Sequence, residues 1–144
     1  MQVTQILSNK GKEVFSISPD ATVNELVRRL HSHRVGALLV QDETGQVVGI
    51  VSERDVVRGM ATQAGIFDAH VTDIMTADVV SITPNTDVAE LTRLMTQHRI
   101  RHVPVIDDKG RVVGLISIGD VVKIRMDELE SERAALVDYI THGG

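Results

Sequence analysis

Sliding the chain along itself by 65 positions brings residues 16–57 onto residues 81–122 without a gap, and 19 of the 42 pairs are identical. The matched pairs include Pro19/Pro84, Glu25/Glu90, His33/His98, Arg34/Arg99, Gly45/Gly110, Gly49/Gly114, Ser52/Ser117 and Asp55/Asp120. A duplication of this size implies two like supersecondary units packed on one another, and any ligand site is expected at their pseudo-twofold interface.

Each copy begins with a short extended piece, residues 14–18 or 79–83, closed by Pro19 or Pro84. Thr22 with Glu25, and Asp87 with Glu90, then have the spacing of a capping box. Behind the first cap, Val23, Leu26, Val27 and Leu30 fall on one helical stripe, which Val88, Leu91 and Met95 repeat. Strands are expected over 35–40 and 103–106, hairpin turns at Asp42-Glu43-Thr44-Gly45 and Asp107-Asp108-Lys109-Gly110, and return strands over 47–51 and 112–116. Pro104 lacks a ladder donor. A second helix follows each return strand, so the unit is β-α-β-β-α, written twice in an α+β fold.

Residues 71–76, Val-Thr-Asp-Ile-Met-Thr, echo residues 3–8, Val-Thr-Gln-Ile-Leu-Ser, at an offset of 68. The three extra residues are assigned to a loop over 9–13, and Gly65 is expected to end the helix before it. The repeats are bounded at 1–64 and 65–124, with 125–144 as a C-terminal helix extension. In the long helix expected over 120–140, Val122, Met126, Leu129, Leu136 and Ile140 form a 4-3-spaced seam interrupted by Arg133. It is too short for a free coiled coil and suits docking to a partner or to itself.

Hydrophobic residues make up 42% of the chain but aromatics only 2%, so the core must be aliphatic. The net charge of −5 and the scarcity of stacking residues argue against a nucleic-acid footprint. The absence of cysteine excludes disulfides, thiolate nucleophiles and cysteine-based zinc sites. Residues 1–15 lack the apolar core of a secretory signal, and the longest apolar run, 37–40, is far too short to cross a membrane. No membrane partner is therefore expected, and a cytoplasmic protein is. His31-Ser32-His33 has no third ligand suggested nearby, so no metal site is expected. The chain carries no P-loop, dinucleotide fingerprint or nucleophile elbow, and no catalytic residue is assigned.

The duplicated strand-to-helix corner is the candidate site: Gly49-Ile50-Val51-Ser52-Glu53-Arg54-Asp55 and Gly114-Leu115-Ile116-Ser117-Ile118-Gly119-Asp120. One reading makes Ser52 and Ser117 helix caps with an acid in the first turn. Yet capping boxes favour the longer Glu or Gln at that position, and both copies use Asp. Both also keep a glycine upstream, where close approach of a ligand is a common reason. A second, compatible reading has the helix amides facing a phosphate or ribose while the aspartate accepts from vicinal hydroxyls.

A tandem unit with Gly-apolar-apolar-Ser-x-x-Asp at each corner resembles the CBS-domain pair, or Bateman module. Residues 71–76 and the His98-Arg99-Ile100-Arg101-His102-Val103-Pro104-Val105 stretch carry the same resemblance, which spans residues 3 to about 122 and points to small stand-alone bacterial CBS-pair proteins. It implies adenosine-containing ligands: AMP, ADP, ATP, NAD(H) or S-adenosylmethionine. It also implies clefts that take a base-binding wall from one repeat and the ribose aspartate from the other. One site would join Ser52 and Asp55 to Met75, Thr76, Ala77, Ile100 and Arg101; the other would join Ser117 and Asp120 to Leu7, Ser8, Val35 and Gly36. Family residues at the Arg101 and His102 positions often touch phosphates, and Gly36 and Ala37 stand there in the first copy, so the two sites should differ.

The expected function is a non-catalytic adenine-nucleotide sensor, homodimeric, whose ligand state alters its assembly or its grip on a protein partner. The alternatives are a constitutive scaffold with degenerate pockets and, less favoured, an enzyme acting on nucleotides.

Overall fold

The structure is a computed structural model that describes residues 1–11 and 13–143. Its elements run α1 Val3–Lys10, β1 Ser16–Ile17, α2 Val23–His33, β2 Ala37–Gln41, β3 Val47–Ser52, α3 Glu53–Thr62, a 3-10 turn Ile66–Asp68, α4 Val71–Ile74, α5 Val88–His98, β4 His102–Ile106, β5 Val112–Ser117 and α6 Ile118–His142. The chain is thus a mixed helix-and-strand fold in which the β-α-β-β-α unit occurs twice.

The chain divides into two compact units, Glu13–Ser81 on one side and Met1–Lys12 with Ile82–Gly144 on the other. In the first, β1 runs parallel to β2, with Ile17 opposite Val40, and β2 pairs antiparallel with β3. Thr22 accepts the Glu25 amide at the start of α2, which is half of the expected capping box. The α2 stripe of Val23, Leu26 and Leu30 packs with Leu38, Val40, Val51, Val56, Ile66 and Val71 into an aliphatic core. In the second unit β4 and β5 pair antiparallel, and the opening extended piece shrinks to one parallel bridge, Ile82 to Val105. Asp87 caps α5 by accepting the Ala89 amide rather than that of Glu90.

The sequence repeats and the packing units are different divisions of the chain. The helix ahead of the first repeat, α1, packs with the second repeat: the Val3 amide donates to the Thr86 carbonyl and the Val88 amide to the Met1 carbonyl, both at 2.9 Å. The helix ahead of the second repeat, α4, makes the same two bonds with the first: Val71 donates to Ala21 at 2.8 Å and Val23 to Ala69 at 2.9 Å. Val3, Ile6 and Leu7 are accordingly buried with Leu91, Val103 and Ile116.

Both hairpins form as expected. Asp42 and Asp107 accept amides two and four residues on. Gly45 and Gly110 adopt φ values of 86° and 78°, a conformation that favours glycine. Two expectations need correction. The loop over 9–13 begins later, because Asn9 and Lys10 complete α1; Lys12 lies outside the described residues. Gly65 does not end α3, which stops at Thr62 with Gln63 as its cap; at φ 69° Gly65 instead starts the 3-10 turn. The C-terminal helix begins inside the second repeat, with Val121 and Ile124 buried, Asp120 and Glu128 half-buried and the rest exposed.

Candidate functional site

Each unit builds one strand-to-helix corner. In the Glu13–Ser81 unit, β3 ends at Ser52, the cap of α3. Asp55 Oδ2 accepts the Ser52 amide at 2.9 Å and the Ser52 hydroxyl at 3.1 Å, while Arg58 donates to Oδ1 at 3.3 Å. Asp55 is the one buried polar or charged side chain among the described residues. Its cost is offset by these bonds, since a buried carboxylate must be paired.

In the other unit β5 ends at Ser117, the cap of α6. Asp120 Oδ2 accepts the Ser117 amide at 2.9 Å, and the Asp120 amide donates to Ser117 Oγ at 3.2 Å, a reciprocal capping box. The basic partner here is Lys10, whose Nζ donates to Asp120 Oδ2 and to the Leu115 carbonyl, each at 2.6 Å. Burial raises the Asp120 pKa, but the Lys10 hydrogen bond, the Ser117 amide and the Lys10 charge outweigh it and hold the carboxyl below its ordinary value. The loop assigned to residues 9–13 missed Lys10. The signal was present, because Val3, Leu7 and Lys10 follow a 4-3 spacing along one helix face.

The first amide of each second helix is satisfied across the hairpin: Glu53 donates to the Gly36 carbonyl at 3.0 Å and Ile118 to the Arg101 carbonyl at 2.8 Å. Ala37 pairs with Ser52 in the sheet register, and His102 with Ser117. One unit therefore gathers Ser52, Asp55, Val35 and Gly36, with Val35 half-buried against the core. The other gathers Ser117, Asp120, Ile100, Arg101 and His102, with Arg101 exposed. Immediately ahead of these segments, Arg34 and Arg99 cap α2 and α5 at φ 55° and 53°. A left-handed conformation costs a residue with a side chain about 1–2 kcal/mol, so both copies hold strain beside the candidate site.

Gly49 and Gly114 are each approached closely by a side chain of their own unit. A Cβ on Gly49 would meet Met75 Sδ at 2.7 Å and the Thr76 carbonyl oxygen at 2.9 Å, and one on Gly114 would collide with Leu7. The glycines seat the residue that follows α4 and its counterpart within α1. Ile50 and Thr76 exchange backbone hydrogen bonds at 2.9 Å, which fixes Met75 and Thr76 beside β3 and leaves Ala77 exposed. Leu7 is buried and Ser8, next to it, is exposed. His33 stacks on Phe15 with ring centroids 3.8 Å apart, a packing role.

An open groove of about 790 Å³ in the Glu13–Ser81 unit is lined by Val35 and Gly36 together with His31, Arg34, Glu53 and Val56. Ser52, Asp55 and Met75 do not line it. Chemically, each corner offers a carboxylate with about four acceptor directions beside helix amides. That is the equipment to take a pair of hydroxyls and an adjoining anion. Among the described residues no helix is long and apolar enough to cross a membrane.

The family model for the CBS domain matches residues 5–62 and 71–127. The mitochondrial CBS domain-containing protein CBSX3 of Arabidopsis thaliana is 37% identical over 150 residues, which cover 98% of this chain and 72% of the relative. Among solved structures, the CBS-domain protein ATU1752 of Agrobacterium tumefaciens superposes with a TM-score of 0.84 at 42% identity, covering 86% of this chain and 92% of that one. The CBS domain pair of MJ0100, in complex with 5′-methylthioadenosine and S-adenosyl-L-methionine, has a TM-score of 0.79 at 26% identity over 89% and 98% of the two chains. PAE2072 of Pyrobaculum aerophilum, complexed with AMP, has 0.75 at 27% over 83% and 89%.

Proposed function

The chain belongs to the CBS-domain family, and from that premise we propose that it is a non-catalytic sensor of adenine nucleotides. The observation that carries the proposal is the repeated Ser-x-x-Asp corner, in which each aspartate is fixed at a helix start by its own capping serine. Asp55 and Asp120 accept from the 2′ and 3′ hydroxyls of a ribose. Met75, Thr76 and Ala77, and Leu7 and Ser8, supply apolar and backbone contacts to the base. Val35, Gly36 and Ile100 line the ligand, and Arg101 and His102 meet phosphate. The solved relatives that carry ligands support this reading, because AMP, 5′-methylthioadenosine and S-adenosylmethionine share an adenosine ribose. The ligand here is AMP, ATP or NAD(H), and its binding is passed on through association with a second copy or a protein partner. A ligand shifts such an equilibrium only by its differential affinity for the two states.

Equilibrium dialysis against AMP, ATP, NAD(H), S-adenosylmethionine and the 2′-deoxy analogue of AMP tests the proposal. Ribose compounds should bind more tightly than the deoxy analogue. Asp55→Ala should weaken binding at its site by roughly ten- to hundredfold, the value of charge-assisted bonds worth about 1.5–3 kcal/mol. Unchanged affinity in Asp55→Ala, Asp120→Ala and the folded double variant would overturn it. Binding retained with no change in assembly would favour a constitutive scaffold.

A further inference from the structure

Beyond its buried Val121 and Ile124, α6 carries an apolar seam with no partner among the described residues: Met126, Leu129, Leu136 and Ile140 are 57%, 65%, 62% and 75% exposed. Val122 begins the seam, and Val137 and Tyr139 flank its last turns, also exposed. The 4-3 spacing places Val122, Leu129 and Leu136 at one core position of a heptad, d, and Met126, Arg133 and Ile140 at the other, a. Less than three heptads is short for an isolated pair. This helix is not isolated, because its first turns are packed into a folded unit and its costly nucleation is already met.

We propose that the seam pairs with the same helix of a second copy, in parallel and in register. The charges flanking the seam decide the direction. In a parallel pair Arg125 lies across from Glu130 of the second copy, and Arg133 lies beside Glu132 of the second copy; both contacts join opposite charges and both occur twice by symmetry. The antiparallel register that overlaps the whole seam sets Val122 against Ile140 and Met126 against Leu136. It brings Glu130 onto Glu130 and Glu132 onto Glu132, like charges at close range. Arg125 currently bonds Glu128 at 3.2 Å, an exposed pair that can be exchanged at little cost. In the parallel pair Arg133 also faces its own copy at a core position, a like-charge contact that weakens the pair but fixes its register, as a single polar core residue does in two-stranded coils. The inference does not depend on the nucleotide reading.

The chain has no cysteine, so single cysteines report the pairing directly. Leu136→Cys, Met126→Cys and Ser131→Cys, the last on the opposite face of the helix, are oxidised separately and in mixtures in a glutathione redox buffer. In the parallel pair residue 136 meets its own copy, and Leu136→Cys should form dimers at least tenfold faster than Ser131→Cys. In the antiparallel pair the two copies of residue 136 lie ten residues apart along the axis. That is about 15 Å, beyond disulfide reach. Dimers that form chiefly in the Met126→Cys and Leu136→Cys mixture would overturn the parallel assignment. Equal slow rates at residues 136 and 131 would overturn the seam as a self-docking surface, leaving a different protein as its occupant. All three substitutions are at exposed positions, and an unchanged circular dichroism spectrum confirms that each variant is folded.

Discussion

Asp55 and Asp120 occupy the same place in the repeat and each accepts the amide of its own capping serine, yet their surroundings differ. Asp55 is buried, and its basic neighbour Arg58 comes from the next turn of its own helix and is 67% exposed. Asp120 is half-buried, and its neighbour Lys10 comes from the far end of the chain, with an N–O distance of 2.6 Å. The difference originates outside the duplicated segment. At the 68-residue offset that aligns α1 with α4, the position of Lys10 is taken by Asp78, and α4 stops at Ile74. A duplicated motif therefore fixes the geometry of a carboxylate but not its counter-charge, which the flanking helix supplies. Two corners copied from one ancestor segment can hence present one paired and one more weakly paired acid.

The largest test of the likeness lies in the cores. Leu26 and Leu91 are equivalent and fully buried, so Leu26→Ala and Leu91→Ala should each cost about 2–5 kcal/mol in urea denaturation. A cost below about 1 kcal/mol for either would show that the two units are not packed alike. The difference between the corners is sharpened next by Arg101, which stands where the first copy has Gly36. Arg101→Ala should weaken AMP by roughly tenfold while leaving adenosine nearly unchanged, because a charge-assisted contact is lost with the phosphate alone. Equal weakening of both ligands by calorimetry would remove Arg101 as a phosphate reader.

The smallest effect concerns the Lys10 contact. The Asp120 pKa is depressed in the folded protein, so its contribution to stability is present above the ordinary aspartate value of 3.8 and is lost as pH falls below it. Lys10→Met should flatten this acid-range loss and change stability at neutral pH by no more than about 1 kcal/mol, given the exposure of the pair. Arg58→Met, at the other corner, serves as the comparison. An unaltered acid profile in Lys10→Met would mean that the lysine does not hold the carboxylate in solution.

The sequence made the duplication, both hairpins, the helix stripes and the two serine–aspartate corners legible, because each rests on local spacing or turn chemistry. Long-range placement was less visible. The likeness of residues 3–8 to residues 71–76 says that the two helices play one role but not which repeat each serves. Gly49 and Gly114 announced a close approach without naming the approaching residue, which the structure identifies as Met75 and Leu7. The left-handed caps at Arg34 and Arg99 had no signal at all, since glycine or asparagine is the usual residue there. Lys10 was hidden because the loop assigned to residues 9–13 took in Asn9 and Lys10, which belong to α1.

The placement of α1 sets the order in which this protein can be completed on a ribosome. Residues 13–81 emerge as one stretch that contains every strand and helix of their own unit. That half can close while the remainder is still being translated. Val3, Ile6 and Leu7 precede that stretch, but their partners Val103 and Ile116 follow it. At about 5–20 residues per second, the apolar face of α1 waits on the order of 5–20 s for the surface it covers. The α1 face is thus made before residues 13–81 but covered only after them, and the second unit is sealed only when the segments on both sides of that stretch have been synthesised.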